Sequence, residues 1–411
     1  MGGPVQTNEW DITKRSEFIK SQLVDWYRHL HRYPELSFQE KKTSAFIRQC
    51  LENEGVFDIQ SGIAGFGIVA TITSGDGPVV GIRADMDALP IEEKTGAEYA
   101  SVHPGVMHAC GHDAHMTMLL GTAKLLAEDF RAGKLKGTIK LIFQPAEEDT
   151  DDYGLTGAPY LLQSGTINDL DAVIALHMCP WRNAGELQIN QGPSMANIDN
   201  FSLEIRGMGG HGGYAFQAVD PIWIASYILQ GIYSLISRKV NPLDVGTISV
   251  GRIHGGHTTN VIPQCVQIEG TLRSYTSEVR QSLIDELEKI AKVAETLGGE
   301  YQLDIEHGEP ALDNDREVTE LIKSTAQNLY PNMPIYEEPY GMGGEDFGHI
   351  LKQVPGAMFF LGCGVNGDTS GSLHTSNFQI NEDALPIGTS LLTECAQRLL
   401  RHCKNSGGEH Q

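Results

Sequence analysis

The feature that most constrains the fold is a change of rhythm near residue 195 that reverses near 308. Before it, helical and strand patterns alternate. Residues 12–32, ITKRSEFIKSQLVDWYRHLHR, space their apolar side chains for one amphipathic helix, stopped by YPE. FGIVATITSG and PVVGIRADMD read as strands, DAHMTMLLGTAKLLAEDFRAG as a helix, and GTIKLIFQPAEE and DAVIALHM as further strands. Strands this rich in Val and Ile predict an α/β fold: a mixed, largely parallel sheet flanked by helices.

Past residue 195 the order becomes strand (FSLEIRG), helix (DPIWIASYILQGIYSLISR), two strands (GTISVGRIHGG, VQIEGTLRSY), helix (SEVRQSLIDELEKIAKVAETLG) and strand (EYQLDIEHG). That β-α-β-β-α-β order is a ferredoxin-like α+β sandwich, which folds as one unit of about a hundred residues. REVTELIKSTAQNLYP, AMFFLGCG and LPIGTSLLTECAQRLLRHC then restore the first alternation. The expectation is a discontinuous main domain, 1–194 with 308–411, and an inserted domain, 195–307. At 411 residues the chain exceeds what one core usually organises, which agrees with two domains. The polar tail KNSGGEHQ is expected to be disordered.

With 53 acidic against 30 basic side chains the formal charge is -23, which repels phosphate backbones and anionic lipid and leaves small molecules and cations as partners. No basic-then-apolar leader and no membrane-length apolar run is present in the sequence, so a cytoplasmic location is expected. Seven scattered cysteines, an odd number in a long chain, read as thiols.

Chemistry concentrates in MHACGHDAHM, residues 107–116. Cys110 and His112 stand two apart, ahead of a helix that Asp113 is expected to open; in extended backbone they share a face and reach one ion, though a buried thiol beside a capped helix fits the same letters. His108 and His115 read as supporting or surface groups. In FQPAEED, Glu147 and Glu148 leave a strand where open α/β sheets bind ligands. Neighbours in extended chain point apart, so one carboxylate can hold a metal while the other faces a water; a solvated acidic turn is the alternative. His177 ends another strand, as a donor or a core histidine. Asp85 and Asp87 in GIRADMDALP stand at a third strand end, where carboxylates hold a ligating imidazole by its free N–H, or cap the chain. His374 lies in the Gly/Ser-rich SGSLHTSNF.

In the insert, GMGGHGG (207–213) matches G-x-G-x-x-G and would alone suggest a nicotinamide-dependent oxidoreductase, but no helix opens from it and no acidic residue follows at the required distance. His211 reads instead as a polar group displayed on a glycine loop. Asn260 in HTTNVIPQ and Arg273 in GTLRSY are further polar candidates, Arg273 suited to clamp a substrate carboxylate. Glu345 and Asp346 in YGMGGEDFGHI fit a helix start.

Taken in order, RHLHRYPELSFQE, GIRADMDALPI, MHACGHDAHM, FQPAEE, ALHM, GGHGG, TTNVIP, GGEDF and LHTSNF resemble, almost end to end, the co-catalytic metallopeptidase and aminoacylase family that includes carboxypeptidase G. Its amidohydrolase branch, with hippurate hydrolase, auxin-amino-acid conjugate hydrolases and N-acetyldiaminopimelate deacetylase, is the most similar. The resemblance implies a zinc-exopeptidase-like catalytic domain with two divalent ions held by Cys110, His112, Glu148, His177 and His374. It further implies Glu147 as general base, Asp87 as a supporting carboxylate, and an insert that serves as lid and dimerisation domain. His211, Asn260 and Arg273 match positions that bind the substrate carboxylate or the developing oxyanion. Zinc or manganese is the expected metal, with cobalt and nickel also compatible. The implied reaction is hydrolysis of N-acyl amino acids, such as N-acetyl ones, by a metal-activated water. The alternatives are a dipeptidase or carboxypeptidase of the same family, a non-catalytic binding protein, and the nicotinamide enzyme.

Overall fold

The computed structural model describes residues 11–365 and 372–406. The first helical pattern forms two helices, α1 (Ile12–Phe18) and α2 (Lys20–Arg32), because Ile19 leaves helical geometry at φ -92°, ψ 7°. Ile12, Ser16, Ile19, Leu23, Tyr27 and Leu30 are all buried, so apolar spacing runs straight through the break and carries no mark of it. Helix α3 (Lys41–Glu54) follows, then strands β1 (Asp58–Ile63), β2 (Gly67–Ser74) and β3 (Val79–Asp85). Helix α4 (His112–Arg131) leads to β4 (Gly137–Gln144), α5 (Gly157–Gln163), β5 (Ala172–Asn183) and the short β6 (Leu187–Gln188).

The chain then enters β7 (Asn197–Arg206), α6 (Pro221–Lys239), β8 (Gly246–Gly255), β9 (Cys265–Ser274), α7 (Ser277–Ala291) and β10 (Glu300–His307). These four strands pair antiparallel in the order β8-β9-β7-β10, the ferredoxin-like arrangement that the order of elements predicts. Their core holds Phe201, Leu203, Ile228, Ile232, Ile268 and Leu283. The chain returns with α8 (Arg316–Leu329), β11 (Ile335–Tyr336), β12 (Gly356–Gly364) and α9 (Ala384–Ser406). The last helix includes Lys404 to Ser406, the start of the tail expected to be disordered; the remaining five residues lie outside those described.

Two compact units result: residues 1–192, 313–340 and 349–411 in one, and 193–312 with 341–348 in the other. The first unit carries a sheet in the order β1-β2-β4-β3-β5-β12-β6-β11. Its centre, β4-β3-β5-β12, is parallel, and antiparallel partners flank it. The sheet is therefore mixed and largely parallel at its core, as the runs of Val and Ile predict. Helix α4 is buried on nearly every side, from Ala114 through Leu126. Gly121 makes this packing possible, since a Cβ there would lie 2.6 Å from Leu23 Cδ2 and 2.8 Å from Thr389 Oγ1. No helix of the described residues is long and apolar enough to cross a membrane.

Candidate metal centre

Parallel strands bring their C-terminal ends to one edge of the sheet, and this edge collects the donors. Asp85 ends β3, and Asp87 follows it. β5 continues to Asn183, so His177 is an interior strand residue rather than a strand end as expected. On the β3 side, however, β5 is paired only through Ala175, which leaves one flank of His177 open.

Cys110 and His112 do not lie in extended backbone. Gly111 between them is left-handed (φ 97°) and caps α4, so His112 is the first helical residue, and Asp113 lies in the first turn instead of opening the helix. A side chain at Gly111 would meet Met178 Cγ at 2.8 Å. The glycine turn thus does what extended backbone was expected to do, aiming both donors at one place.

Glu147 and Glu148 also depart from extended geometry. Ala146 has φ 51°, and the two acids follow in a bend, so both carboxylates turn the same way. Glu147 Oε2 is 3.9 Å and Glu148 Oε1 3.7 Å from His112 Nε2. Cys110 Sγ lies 3.4 Å from His177 Nε2 and 3.3 Å from His374 Nε2, and His374 Nε2 lies 3.2 Å from Glu148 Oε1. Four separate chain segments, up to 264 residues apart, thus converge.

Hydrogen bonds behind the donors set their orientation. His112 Nδ1 donates to the Asp87 carbonyl at 2.8 Å, and His177 Nδ1 to the Met178 carbonyl at 2.8 Å, so each turns Nε2 to the centre. The Asp87 carboxylate has another task, accepting from Ser37 Oγ at 2.6 Å and from the Glu148 N–H at 2.9 Å. The Met178 N–H donates to His115 Nε2 (2.9 Å), which places the His115 proton on Nδ1, bonded to Asp85 Oδ1 at 2.6 Å. Both nitrogens of His115 are occupied, so it supports Met178 and is no ligand. Asp85 gives its other oxygen to Arg83 Nη1 (2.6 Å). Tyr340 Oη donates to the Met178 carbonyl as well (2.8 Å). His108 is buried rather than on the surface, with no hydrogen-bond partner among the described residues, and burial pushes it down to about 4.

The residues fit divalent metal ions. Buried His112 Nε2 and Glu148 Oε1 face each other without a hydrogen-bond partner, an expensive arrangement unless a cation lies between them. Burial, then Glu148, Glu147 and Asp85, push the Cys110 thiol well above its ordinary range, so a thiolate here requires a positive charge. Burial opposes a charge on His112 too, yet Asp85, Asp87 and Glu148 outweigh it and raise this imidazole to about 10. Burial, with His115, holds His177 well below its usual range, in the neutral form that ligates. Donor atoms of Cys110, His112 and His177 lie within 4.8 Å of one another, as do those of Cys110, Glu148 and His374, and those of His112, Glu147 and Glu148.

A profile of Peptidase family M20/M25/M40 matches residues 81–398. The chain belongs to this family. N-acetyl-L-cysteine deacetylase of Bacillus subtilis is 40% identical over 410 residues, covering 97% of this chain and 94% of the relative. Thermostable carboxypeptidase 1 of Saccharolobus solfataricus is 35% identical over 389 residues, 92% of this chain and 96% of the relative. Among solved structures, the YXEP protein of Bacillus subtilis, described as a dinuclear metal binding peptidase from the M20 family, superposes with a TM-score of 0.81 at 32% identity, covering 94% of this chain and 99% of that one. This M20-family chain is a hydrolase that acts on amide bonds.

The insert residues of the M20-family hydrolase lie in the second unit. His211 and Asn260 are neighbours, because Gly210–His211 pairs antiparallel with Val261–Ile262 and the Gly212 N–H donates to the Asn260 carbonyl (2.8 Å). His211 Nδ1 accepts from the Gly213 N–H at 3.0 Å, which leaves the proton on Nε2 of an exposed ring. Arg273, on β9, is half-buried and donates to the Met342 carbonyl at 2.9 Å. Glu345 Oε1 accepts from the Phe347 N–H (3.0 Å), the capping contact anticipated for a helix start.

Sequence reasoning passed over Ser37, Arg83 and Tyr340, and took no view of His31, although all four lie inside or beside quoted motifs. His31 is buried and bonds Asp113 Oδ2 through Nδ1 (2.6 Å) and Glu93 Oε1 through Nε2 (3.3 Å). Burial works against its charge, but the two carboxylates prevail and raise it to about 9. A raised histidine contributes stability that is fully present below its unfolded value of about 6.5 and is lost as pH rises through about 9. Glu93, drawn down to about 2 against its own burial, keeps its share above the ordinary carboxylate range. His31→Gln is therefore expected to destabilise by about 3 kcal/mol near pH 6, measured by urea unfolding, with the deficit shrinking above pH 9. A deficit independent of pH would show that the charge of His31 is not what matters.

Proposed function

We propose that this hydrolase cleaves N-acyl amino acids to a carboxylate and a free amino acid at a site holding two divalent ions. The observation that carries the reading is the convergence of Cys110, His112, Glu148, His177 and His374, which we assign as the ligands. Thiolate and imidazole donors favour zinc, and the carboxylate admits manganese; cobalt and nickel are also compatible. Such ions supply Lewis acidity that makes hydroxide available at neutral pH.

The side chains divide the remaining work. Glu147, beside His112 and partly open to solvent, takes a proton from the attacking water as the C–O bond forms. As the amide C–N bond breaks, Glu147 returns that proton to the leaving nitrogen, so protons balance over the cycle. Asp87 holds the Glu148 backbone and, through its carbonyl, the ring of His112. His211, whose Nε2 carries a hydrogen on an exposed loop, is suited to donate to the oxyanion, and Asn260 and Arg273 to receive the substrate carboxylate.

The charge of -23 supports a small-molecule substrate over nucleic acid or membrane, and seven free thiols support a reducing, cytoplasmic location. The insert is read as lid and homodimer contact. Trp223, Tyr227 and Tyr233 lie exposed on α6, and β8 forms an open edge of the small sheet, both apt for a second copy.

Deacetylase likeness favours N-acyl substrates, and the likeness to a carboxypeptidase keeps peptides as the second reading. A panel of N-acetyl and N-benzoyl amino acids beside dipeptides, run after reconstitution with Zn, Mn, Co or Ni, separates them. The expected result is a kcat/KM for the best N-acyl substrate at least about 10-fold above any dipeptide, abolished by chelation. Dipeptides cleaved as fast or faster would replace this reading with the peptidase one.

A further inference from the structure

The bend that carries Glu147 and Glu148 is held on both sides of Ala146, by a backbone N–H at its carbonyl and by a side chain at its N–H. Ala146 stands at φ 51°, a conformation an alanine adopts only when its surroundings impose it. Its carbonyl accepts from the Gly157 N–H at 2.7 Å, and Gly157 must be glycine, since a Cβ would fall 1.8 Å from the Pro145 oxygen. Its N–H donates to Glu40 Oε1 at 2.8 Å, across 106 residues.

The Glu40 carboxyl also faces the Phe38 N–H and its own N–H, so it joins its own turn to the Ala146 bend. It stands at the N-cap position of α3 but makes no side-chain cap. Glu35 does that work, accepting from the Lys42 and Thr43 N–H groups at 2.7 and 2.9 Å. Glu40 is 0% exposed, and its second oxygen is buried without a hydrogen-bond partner. Burial, with the Asp87 charge nearby, lifts this carboxyl to about 7. A core built for stability alone would do better with an apolar residue here.

The same short segment holds the second acid. Leu36 forms a parallel bridge to Ala88, the Ala88 N–H donates to the Glu35 carbonyl (2.8 Å), and Ser37 Oγ fixes the Asp87 carboxylate that accepts from Glu148. Residues 35–40 thus form a bracket with one arm on Ala146 and another, through Asp87, on Glu148.

We infer that Glu40 is a positioning residue for the acid pair: by taking the Ala146 N–H it fixes the bend that aims Glu147 and Glu148 at the metal centre. This rests on the roles proposed above for those two glutamates. It touches neither substrate nor metal, and what it supplies to the bend is a hydrogen-bond acceptor for the Ala146 N–H. Glu40→Gln retains that acceptor, Glu40→Asp withdraws it by one methylene while keeping the charge, and Glu40→Ala removes it.

The three variants are compared for zinc affinity by competition with a chelating dye, for kcat and KM, and for urea unfolding midpoint. Glu40→Ala and Glu40→Asp are expected to lose about 10- to 100-fold in kcat and in zinc affinity, with KM little changed and Glu40→Gln near wild type. Wild-type kcat and zinc affinity in Glu40→Asp overturn the inference, whatever the unfolding midpoints. So does a Glu40→Gln as impaired as Glu40→Asp, since the acceptor would then be irrelevant. Glu147→Gln separates this failure from that of the underlying reading: full turnover there removes the assigned base, while the zinc titrations of the Glu40 variants stand independently.

Discussion

Glu147→Gln is expected to lower kcat by about 10²- to 10⁴-fold while the protein keeps its full complement of metal. The amide is nearly isosteric with the carboxylate and sits on the same bend, so packing is preserved, but it cannot take a proton from water. Its effect falls on kcat and not on KM, because proton transfer belongs to the transition state and not to substrate binding. Metal analysis and steady-state kinetics on one preparation read both quantities. Near-wild-type turnover would remove Glu147 as the base, and loss of metal would make it a ligand instead.

The second large effect is expected at Cys110. Its sulfur lies within 3.4 Å of His177 Nε2 and of His374 Nε2, at the junction of two donor sets, so Cys110→Ala is expected to lose bound metal and with it all measurable activity. Wild-type protein should gain about 2.7 kcal/mol of stability when zinc is raised to about 100 times its Kd, whereas Cys110→Ala should gain almost none. Thermal melts with and without zinc measure the difference, and a variant that binds two ions with native affinity would show that the thiol is not a ligand.

Much of the architecture is legible in the letters because it rests on local periodicity. Strands β3, β4 and β5 are runs of mostly buried residues rich in Val, Ile and Leu, and β7 to β10 with their helices follow a fixed order, so both sheets follow from pattern. The donors could be proposed because parallel strands release their chains at one edge. The means of aiming them lay beyond such reasoning. Gly111 stands at positive φ where a side chain would meet Met178, and Ala146 is held at positive φ by Glu40 and Gly157; no periodic signal encodes either. Extended backbone was the natural assumption at both places, and at both a turn achieves the convergence instead. The roles of His115 and Tyr340 were hidden for the same reason, since each bonds the Met178 backbone, and Tyr340 also reaches His177 Nδ1 at 3.4 Å, from a distant part of the chain.

His374 differs from the other four donors in its surroundings. Cys110, His112, Glu148 and His177 are enclosed, whereas the His374 side chain is 49% exposed and is carried on a loop at φ 60°, tied to the Ala109 carbonyl by its own N–H at 2.8 Å. Four donors are therefore walled in by protein, while the fifth, already beside Cys110 and Glu148, is the one that water reaches. Of the five side chains it is the one whose rotation would open a path to solvent without disturbing the core. A chelator or a competing ion in solution is therefore expected to meet the centre from the His374 side.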